Sequence, residues 1–439
     1  MQLRRRLAGA LLALGLLGGT FTPPAHALPS APPAVTVAPL VLPAPAAVDL
    51  DVSLVASRLA GVSKKYLDST AWAVFTADGE KVVASDRLMV PASTTKILTA
   101  MAALDVLGAD RTFTTKVVSA KKGRLTLVGG GDPYLVSAKS TVPAKKANLN
   151  SLVAATVKAL KKAKVKKVTL TYSAPLFSGT SYSAAWKQSW ASYTPRIMSL
   201  TVNGGKSGSA AYTNPARSTA KMFASKLRSK GIKVTYAGAA AAPKGARTVA
   251  SVTSAPLGTQ VRRMLRYSDN VAAENYARLI ARATGGSPSF AGGSAAITTW
   301  LKEKGLWGSG MRIDGGSGLS SNSKVLPSVL ARAVGLALDD ATYRDVKVGL
   351  PVAGVNGTLR NRFNDPSERA GRKVVHAKTG SLKKINALAG YLTTADGDVL
   401  TFAFGASHDG KRSTTAGNWL DRSATKLVGC GCALPPTGG

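Results

Sequence analysis

Hydrophobic and polar positions along this 439-residue chain switch repeatedly between a helical and a strand period. Apolar residues at helical spacing predict a short helix over residues 50–59. Residues 72–76 and 81–84 read as two strands around the turn Asp78-Gly79-Glu80, a hairpin leading into Val90-Pro91-Ala92-Ser93. Beyond Ser93 the period becomes helical, with Ile97, Leu98, Met101, Leu104 and Leu107 three or four apart and Gly108 as the stop. Charge is almost absent between Lys96 and Asp105, so this helix is expected to be buried on most sides. Ser93 and Lys96 then lie one turn apart on one face at its start.

Residues 116–120 and 125–128 are strand-like and end in Gly129-Gly130-Gly131-Asp132-Pro133. A lysine-rich helix over 152–162, a strand over 167–172, a helix near 219–229 and a strand over 232–236 follow, around an aromatic, Ser-rich loop at Trp186 and Trp190. This alternation predicts an inserted α/β domain over 115–250, with the Ala/Gly/Pro stretch 237–245 as its exit. Helical patterns over 261–266 and 271–283 flank Ser268-Asp269-Asn270, placing that tripeptide on a tight link whose side chains can project into a cleft. A strand over 373–377 is expected to end in Lys378-Thr379-Gly380. The strands 387–393 and 399–406 then meet at Asp396-Gly397, a hairpin signal, which predicts an antiparallel sheet beside the helices.

Composition adds an address. Arg4, Arg5 and Arg6, an apolar run over 7–19 and Ala25-His26-Ala27 predict a cleavable export signal over 1–27. The run is too short to span a bilayer as a helix, so no transmembrane anchor is expected in the mature chain. The Pro/Ala/Val-rich residues 28–49 read as a semi-rigid linker. At about 100–200 residues per domain, the remainder suffices for more than one. The reading is one domain over 50–114 and 251–428, interrupted by 115–250 and followed by a tail over 429–439. Cys430 and Cys432 are the only cysteines, so this is no disulfide scaffold, and a free or labile pair is expected. Downstream of the signal only His376 and His408 remain, without paired ligand spacing, and neither metal nor other cofactor is expected. Leu434-Pro435-Pro436-Thr437-Gly438 matches a sortase signal but reads as a chance Pro-rich end.

Charge narrows the partners. The formal net charge is +36, and residues 115–250 hold 24 Lys and Arg against one acid, Asp132, for a net +23. Nucleic acid is the usual partner of such a segment. Export argues against it and points to anionic wall polymers or lipid headgroups.

Three short segments carry chemistry: Ser93-Thr94-Thr95-Lys96, Ser268-Asp269-Asn270 and Lys378-Thr379-Gly380. Ser-x-x-Lys alone is weak, since it also begins at Ser119, Ser218, Ser321, Ser381 and Ser423. The ordered set is the Ser-x-x-Lys, Ser-x-Asn, Lys-Thr-Gly set of enzymes that acylate a serine. Ser93 is the candidate nucleophile and Lys96 its base, which requires a neutral amine. Burial and a second cation such as Lys378 would both depress its pKa. The Ser93 N–H at a helix start supplies one oxyanion donor, and the Ser381 N–H is the candidate second. Ser268 would relay a proton toward the leaving group, and the Asn270 amide would hold the substrate backbone. Lys378 adds positive potential, Thr379 can bind a terminal carboxylate, and Gly380 would let substrate approach the strand edge. The plainer reading makes the first two segments helix caps and the third a turn. His376, two residues before Lys378 on the same strand face, raises a Ser-His-Asp alternative. No Gly-x-Ser-x-Gly elbow accompanies it, so His376 reads as structural.

On these residues the chain resembles the serine D-Ala-D-Ala carboxypeptidases of the low-molecular-mass class C penicillin-binding proteins, several of which also act as endopeptidases. The likeness extends to Pro91-Ala92, the run 129–133, Tyr267, Asp314-Gly315-Gly316-Ser317-Gly318-Leu319-Ser320, Leu350-Pro351-Val352-Ala353-Gly354, Gly357-Thr358-Leu359 and His376-Ala377. The resemblance implies an α/β (α+β) fold, a β-lactamase-like transpeptidase core with an antiparallel sheet and helices, carrying an inserted domain. It also implies acylation and deacylation at Ser93, peptidoglycan stem peptides ending in D-Ala-D-Ala as substrates, and β-lactams as covalent inhibitors. Two departures stand out. The gap of 175 residues from Ser93 to Ser268 is short, implying a reduced insertion, and Ser321-Asn322 stand where arginine often follows. Rival readings are a class A β-lactamase, for which no separate deacylating glutamate can be placed, and a non-catalytic basic wall-binding protein.

Overall fold

Strand order places the edge of one sheet beside the serine turn. The computed structural model describes residues 50–192 and 194–432. The expected export signal, the 28–49 linker and the Leu434-to-Gly438 stretch lie outside the described residues. Helix α1 (Val52–Ala60) leads into β1 (Ser69–Thr76) and β2 (Lys81–Ser85), then into α2 (Thr95–Leu107), which Gly108 ends with φ +82°.

From α2 the chain enters a second sheet. Its elements are β3 (Thr114–Ser119), β4 (Arg124–Val128), α3 (Leu149–Lys162), β5 (Lys167–Ser173), the two-residue strands β6 (Lys206–Ser207) and β7 (Ala210–Ala211), α4 (Pro215–Arg228), β8 (Lys233–Ala239) and β9 (Arg247–Thr253). The strand order is β8-β5-β4-β3-β9. Crossovers through α3 and α4 make β4, β5 and β8 parallel, whereas β3 and β9 pair antiparallel. Leu152, Val153, Val157 and Leu160 of α3 and Ala220, Phe223 and Leu227 of α4 pack with Leu125, Leu127, Val168 and Leu170 into a separate core. Asn148 and Asn214 cap the two helices through their side chains. The chain does not leave this sheet at residues 237–245. That stretch turns into β9, which returns beside β3 and delays the exit to Thr253.

The chain then forms α5 (Leu257–Tyr267), α6 (Asn270–Ala283), α7 (Phe290–Glu303), α8 (Pro327–Asp339), α9 (Arg344–Gly349), β10 (His376–Leu382), β11 (Ile385–Thr393), β12 (Val399–Ser407) and α10 (Ser413–Val428). The first sheet has the order β10-β11-β12-β1-β2, antiparallel throughout. Both its faces are covered, so β12 is buried along its length. Ala73, Ala389 and Ala403 face a core shared with α2, α5, α6 and α8. Phe402, Phe404, Leu388 and Val74 face the opposite way, toward α1 and α10. Small residues on the first face let helices approach closely, and aromatic ones fill the second.

Two expectations change here. Lys378-Thr379-Gly380 does not end its strand but sits inside β10, with Gly380 paired opposite Ala387. Cys430 and Cys432 are joined as a disulfide and buried in the core around α10, where a free or labile pair in a terminal tail was expected. The Cys432 carbonyl accepts from the Asp51 N–H at 2.8 Å, tying the segment after α10 to the start of α1.

Candidate active site

Ser93 stands in a 3₁₀ turn, Ala92–Thr94, that runs directly into α2. The turn is fixed from several sides. Thr94 Oγ1 donates to the Pro91 carbonyl at 2.7 Å and Thr95 Oγ1 to that of Ala92 at 2.8 Å. Ala92 itself has φ +46°, a strained value for a residue with a side chain. Gly318, at φ +75°, lies so close to the Ala92 carbonyl that no Cβ would fit there. Ala92, Thr94 and every residue from Thr95 to Leu104 are buried, and only Ser93 is partly exposed.

Lys96 is fully buried, and its Nζ has three neighbours: Ser93 Oγ at 2.9 Å, Asn270 Oδ1 at 2.7 Å and the Ser317 carbonyl at 2.7 Å. Burial pushes its pKa down to about 7, against the upward pull of Glu274 and Asp269. Of the six Ser-x-x-Lys matches, the one at Ser93 alone joins the serine hydroxyl to the amine of the motif lysine among the described residues.

Ser268 ends α5 in the left-handed region, φ +56° and ψ 44°. Asp269 then caps α6, its Oδ1 accepting from the Ala272 N–H at 3.0 Å. The two helices leave almost no linker, which turns Ser268 Oγ toward Lys378, whose Nζ donates to it at 2.9 Å. Lys378 is also buried, and its pKa falls well below the ordinary lysine value, first through burial and then through the Lys96 cation. Its Nζ donates further to the Thr379 carbonyl at 2.8 Å.

Of the expected site residues, Ser93, Lys96, Ser268, Asn270 and Lys378 are thus joined into two hydrogen-bonded groups. Thr379 Oγ1 donates to Thr358 Oγ1 at 2.8 Å. Gly380 packs tightly against the serine turn. A Cβ there would stand 2.7 Å from the Pro91 carbonyl and 3.1 Å from Ala92 Cβ. It is therefore a close-packing point that brings β10, the edge strand of the sheet, against the Ser93 turn. Ser381, next along, is exposed. His376 stacks on Tyr391 at 4.7 Å, and the Tyr391 hydroxyl meets its Nδ1 at 3.1 Å, a structural pairing.

Sequence reasoning missed three contributors. Glu274, one turn beyond Asn270 on α6, is buried and accepts from the Ser317 N–H through Oε1 at 2.8 Å. That bond helps aim the Ser317 carbonyl at Lys96. Thr99 Oγ1 braces the same loop by donating to the Gly316 carbonyl at 2.7 Å. The available signal was the single acid of α6, at helical spacing from Asn270.

Among the described residues, no group of three or more His, Cys, Asp or Glu is placed to hold a metal ion. The joined residues offer nucleophilic and acid–base chemistry: a serine hydroxyl, a buried lysine of depressed pKa, and a second serine–lysine pair.

The D-Ala-D-Ala carboxypeptidase 3 (S13) family matches residues 68–212 and 199–427. The chain is 33% identical over 449 aligned residues to carboxypeptidase DacB of Mycolicibacterium smegmatis, covering 97% of this chain and 95% of that protein. It is 34% identical over 365 residues to a carboxypeptidase of Mycobacterium tuberculosis, covering 78% of this chain and 76% of that one. The solved structure of penicillin binding protein 4 from Haemophilus influenzae shares the fold with a TM-score of 0.70 at 21% identity, over 85% of this chain and 98% of that one. With its penicillin-binding-protein fold and a match spanning both halves of the core, this chain belongs to the D-Ala-D-Ala carboxypeptidase 3 (S13) family, whose members are serine-type peptidases.

Proposed function

We propose that Ser93 is the acyl-forming nucleophile of this D-Ala-D-Ala carboxypeptidase and Lys96 its general base. One observation carries the assignment: the three neighbours of Lys96 Nζ match a neutral amine. Its two N–H groups go to Asn270 Oδ1 and the Ser317 carbonyl, which leaves the lone pair for the Ser93 hydroxyl 2.9 Å away. Ser93 Oγ attacks the carbonyl of the penultimate D-alanine while its proton passes to Lys96. The oxyanion is received by the N–H groups of Ser93 and Ser381. Collapse expels the D-alanine amine, which takes up the proton held by Lys96 by way of Ser268, itself hydrogen-bonded to Lys378, and leaves Lys96 neutral. Water, deprotonated by Lys96, then releases the acyl group from Ser93.

Asn270 spends its Oδ1 on Lys96, which leaves its Nδ2 to donate to a substrate carbonyl. Thr379, with Lys378 behind it, receives the terminal carboxylate. A strained β-lactam amide fits the same route and stalls as the acyl-enzyme. Stem peptides of exported peptidoglycan are the natural substrates, and cross-linked peptides with a larger leaving group give the endopeptidase variant. Residues 115–250 form the inserted domain and bind anionic wall polymer. In support, the 24 Lys and Arg of that stretch face one acid, Asp132, which is itself buried.

The test is labelling with a fluorescent penicillin followed by peptide mass spectrometry. Ser93→Ala should lose both the label and hydrolysis of D-Ala-D-Ala peptides. An adduct on another serine would overturn the assignment, and rapid turnover of the label would favour a β-lactamase.

A further inference from the structure

A cavity of about 410 Å³ opens from the Ser268–Asn270 link, lined in part by Tyr134, Lys145, Arg263 and Tyr267. Arg263 and Tyr267 are four apart on α5, and the guanidinium lies 4.6 Å from the Tyr267 ring centroid and 5.8 Å from that of Tyr134. Two aromatic rings therefore hold the Arg263 head in place. Its Nε is buried with no hydrogen-bond partner, and the side chain forms no ion pair among the described residues. Lys145 reaches the cavity from a separate 3₁₀ turn, Pro143–Lys145. Burial lowers the Lys145 pKa, the Arg263 cation lowers it further, and Asp269 opposes both, so the two cations feel one another. Asp269 is the one acid of the lining, and its Oδ1 is committed to the Ala272 N–H. Cations held together with so little counter-charge await an anion, and a planar guanidinium suits a carboxylate.

We propose that this cavity is a carboxylate-binding subsite for the peptide strand on the leaving-group side of the scissile bond. The placement rests on the reading of Ser268 as the proton donor to the leaving amine. Ser268 and Tyr267 both line the cavity, so whatever extends beyond that amine enters it. A single D-alanine leaves most of the space empty. A cross-linked peptide, whose amine belongs to a longer strand bearing a second carboxylate, fills it. The subsite then favours endopeptidase over carboxypeptidase turnover without any change at Ser93.

The experiment uses three peptides with one acyl half: one leaving D-alanine, one leaving a longer strand with a second carboxylate, and the last with that carboxylate amidated. Arg263→Gln and Lys145→Gln, on different elements, should each lower kcat/KM for the carboxylate-bearing peptide. For Arg263→Gln the loss should be at least about tenfold, the scale of losing a hydrogen bond to a charged group. The amidated peptide, the D-alanine peptide and penicillin acylation should be unchanged. Equal losses on all three peptides, or no preference of the wild type for the second carboxylate, would overturn the subsite while leaving the Ser93 assignment intact. A wild-type protein that penicillin does not acylate would remove that assignment, and the subsite with it.

Discussion

Lys96 Nζ and the Ser317 carbonyl oxygen lie 2.7 Å apart, although 221 residues separate them in the chain. The contact fixes one N–H of the amine and so helps decide where its lone pair points. Ser317 is held in turn by Glu274, and Gly318 closes on the Ala92 carbonyl. The 314–320 loop therefore holds both the Lys96 amine and the serine turn.

The first prediction follows from the depressed pKa of Lys96. Only the neutral amine accepts a proton, so the acylation rate should rise with pH and level off above about 7. Lys96→Ala should slow acylation by about 10³-fold, within the range for losing a general base. Stopped-flow acylation by penicillin across pH measures both. A flat pH profile, or an unchanged rate in the variant, would place the base elsewhere.

Glu274 pulls the Lys96 pKa upward through its charge. Glu274→Gln keeps an acceptor for the Ser317 N–H but removes that charge. The ascending limb of the pH–rate profile should therefore move to lower pH, with the plateau rate retained. A limb that stays put would show that the carboxylate does not influence the amine. A collapsed plateau would point to a disordered 314–320 loop instead.

Gly380→Ala tests the packing of β10 on the serine turn. The new Cβ would press on the Pro91 carbonyl and on Ala92 and Ala387 Cβ. Overpacking of this kind costs about 1–3 kcal/mol. The melting temperature should fall, and penicillin acylation should fall with it as Ser93 shifts. A variant with normal acylation would mean that the turn is positioned without this contact.

Thr379→Val removes the hydroxyl that meets Thr358. Peptides ending in a free carboxylate should lose much of their kcat/KM, and the same peptides amidated at that end should lose little. Equal losses on both would remove Thr379 from carboxylate binding.

How much of this was legible in the sequence depends on where each group's signal lies. Ser93, Lys96, Ser268 and Lys378 lie in compact side-chain motifs, so the order of those motifs along the chain pointed to them. Ser317 acts through a backbone carbonyl, which no residue type announces. Glu274 stood out only as the single acid of α6. Helix α7 is masked by Gly292 and Gly293, poor helix formers, and Gly293 is there because Ala277 of α6 passes close enough to exclude a Cβ without displacement. Gly380 resembled a turn for a related reason, being a strand residue without a side chain where two backbones meet. The exit from the second sheet was misplaced because residues 237–245 carry turn composition, while β9 beyond them is a largely exposed edge strand.

The last prediction concerns the basic second sheet. Lys158, Lys161, Lys162, Lys164, Lys166 and Lys167 cluster at the end of α3 and the start of β5, and all six are exposed. Exposed charges of one sign add nothing to burial and repel one another, so folding alone does not account for them. Lys161 and Lys162 gain a little from the C-terminal end of the helix dipole, typically about 0.3–1 kcal/mol each. That cannot explain the other four. The proposed attraction to an anionic wall polymer would, and it should weaken with salt, because the Debye length falls from about 30 Å at 0.01 M to about 3 Å at 1 M. Co-sedimentation with purified cell wall across that range should show binding at low salt that is lost at high salt. Replacing all six lysines by glutamine should weaken the low-salt binding, while hydrolysis of small soluble D-Ala-D-Ala peptides stays at the wild-type rate. Lys164 has φ +52°, but glutamine meets the same backbone cost as lysine there, so stability should barely move. Binding indifferent to both salt and the six substitutions would eliminate the polymer-docking role and leave the basic surface to solubility.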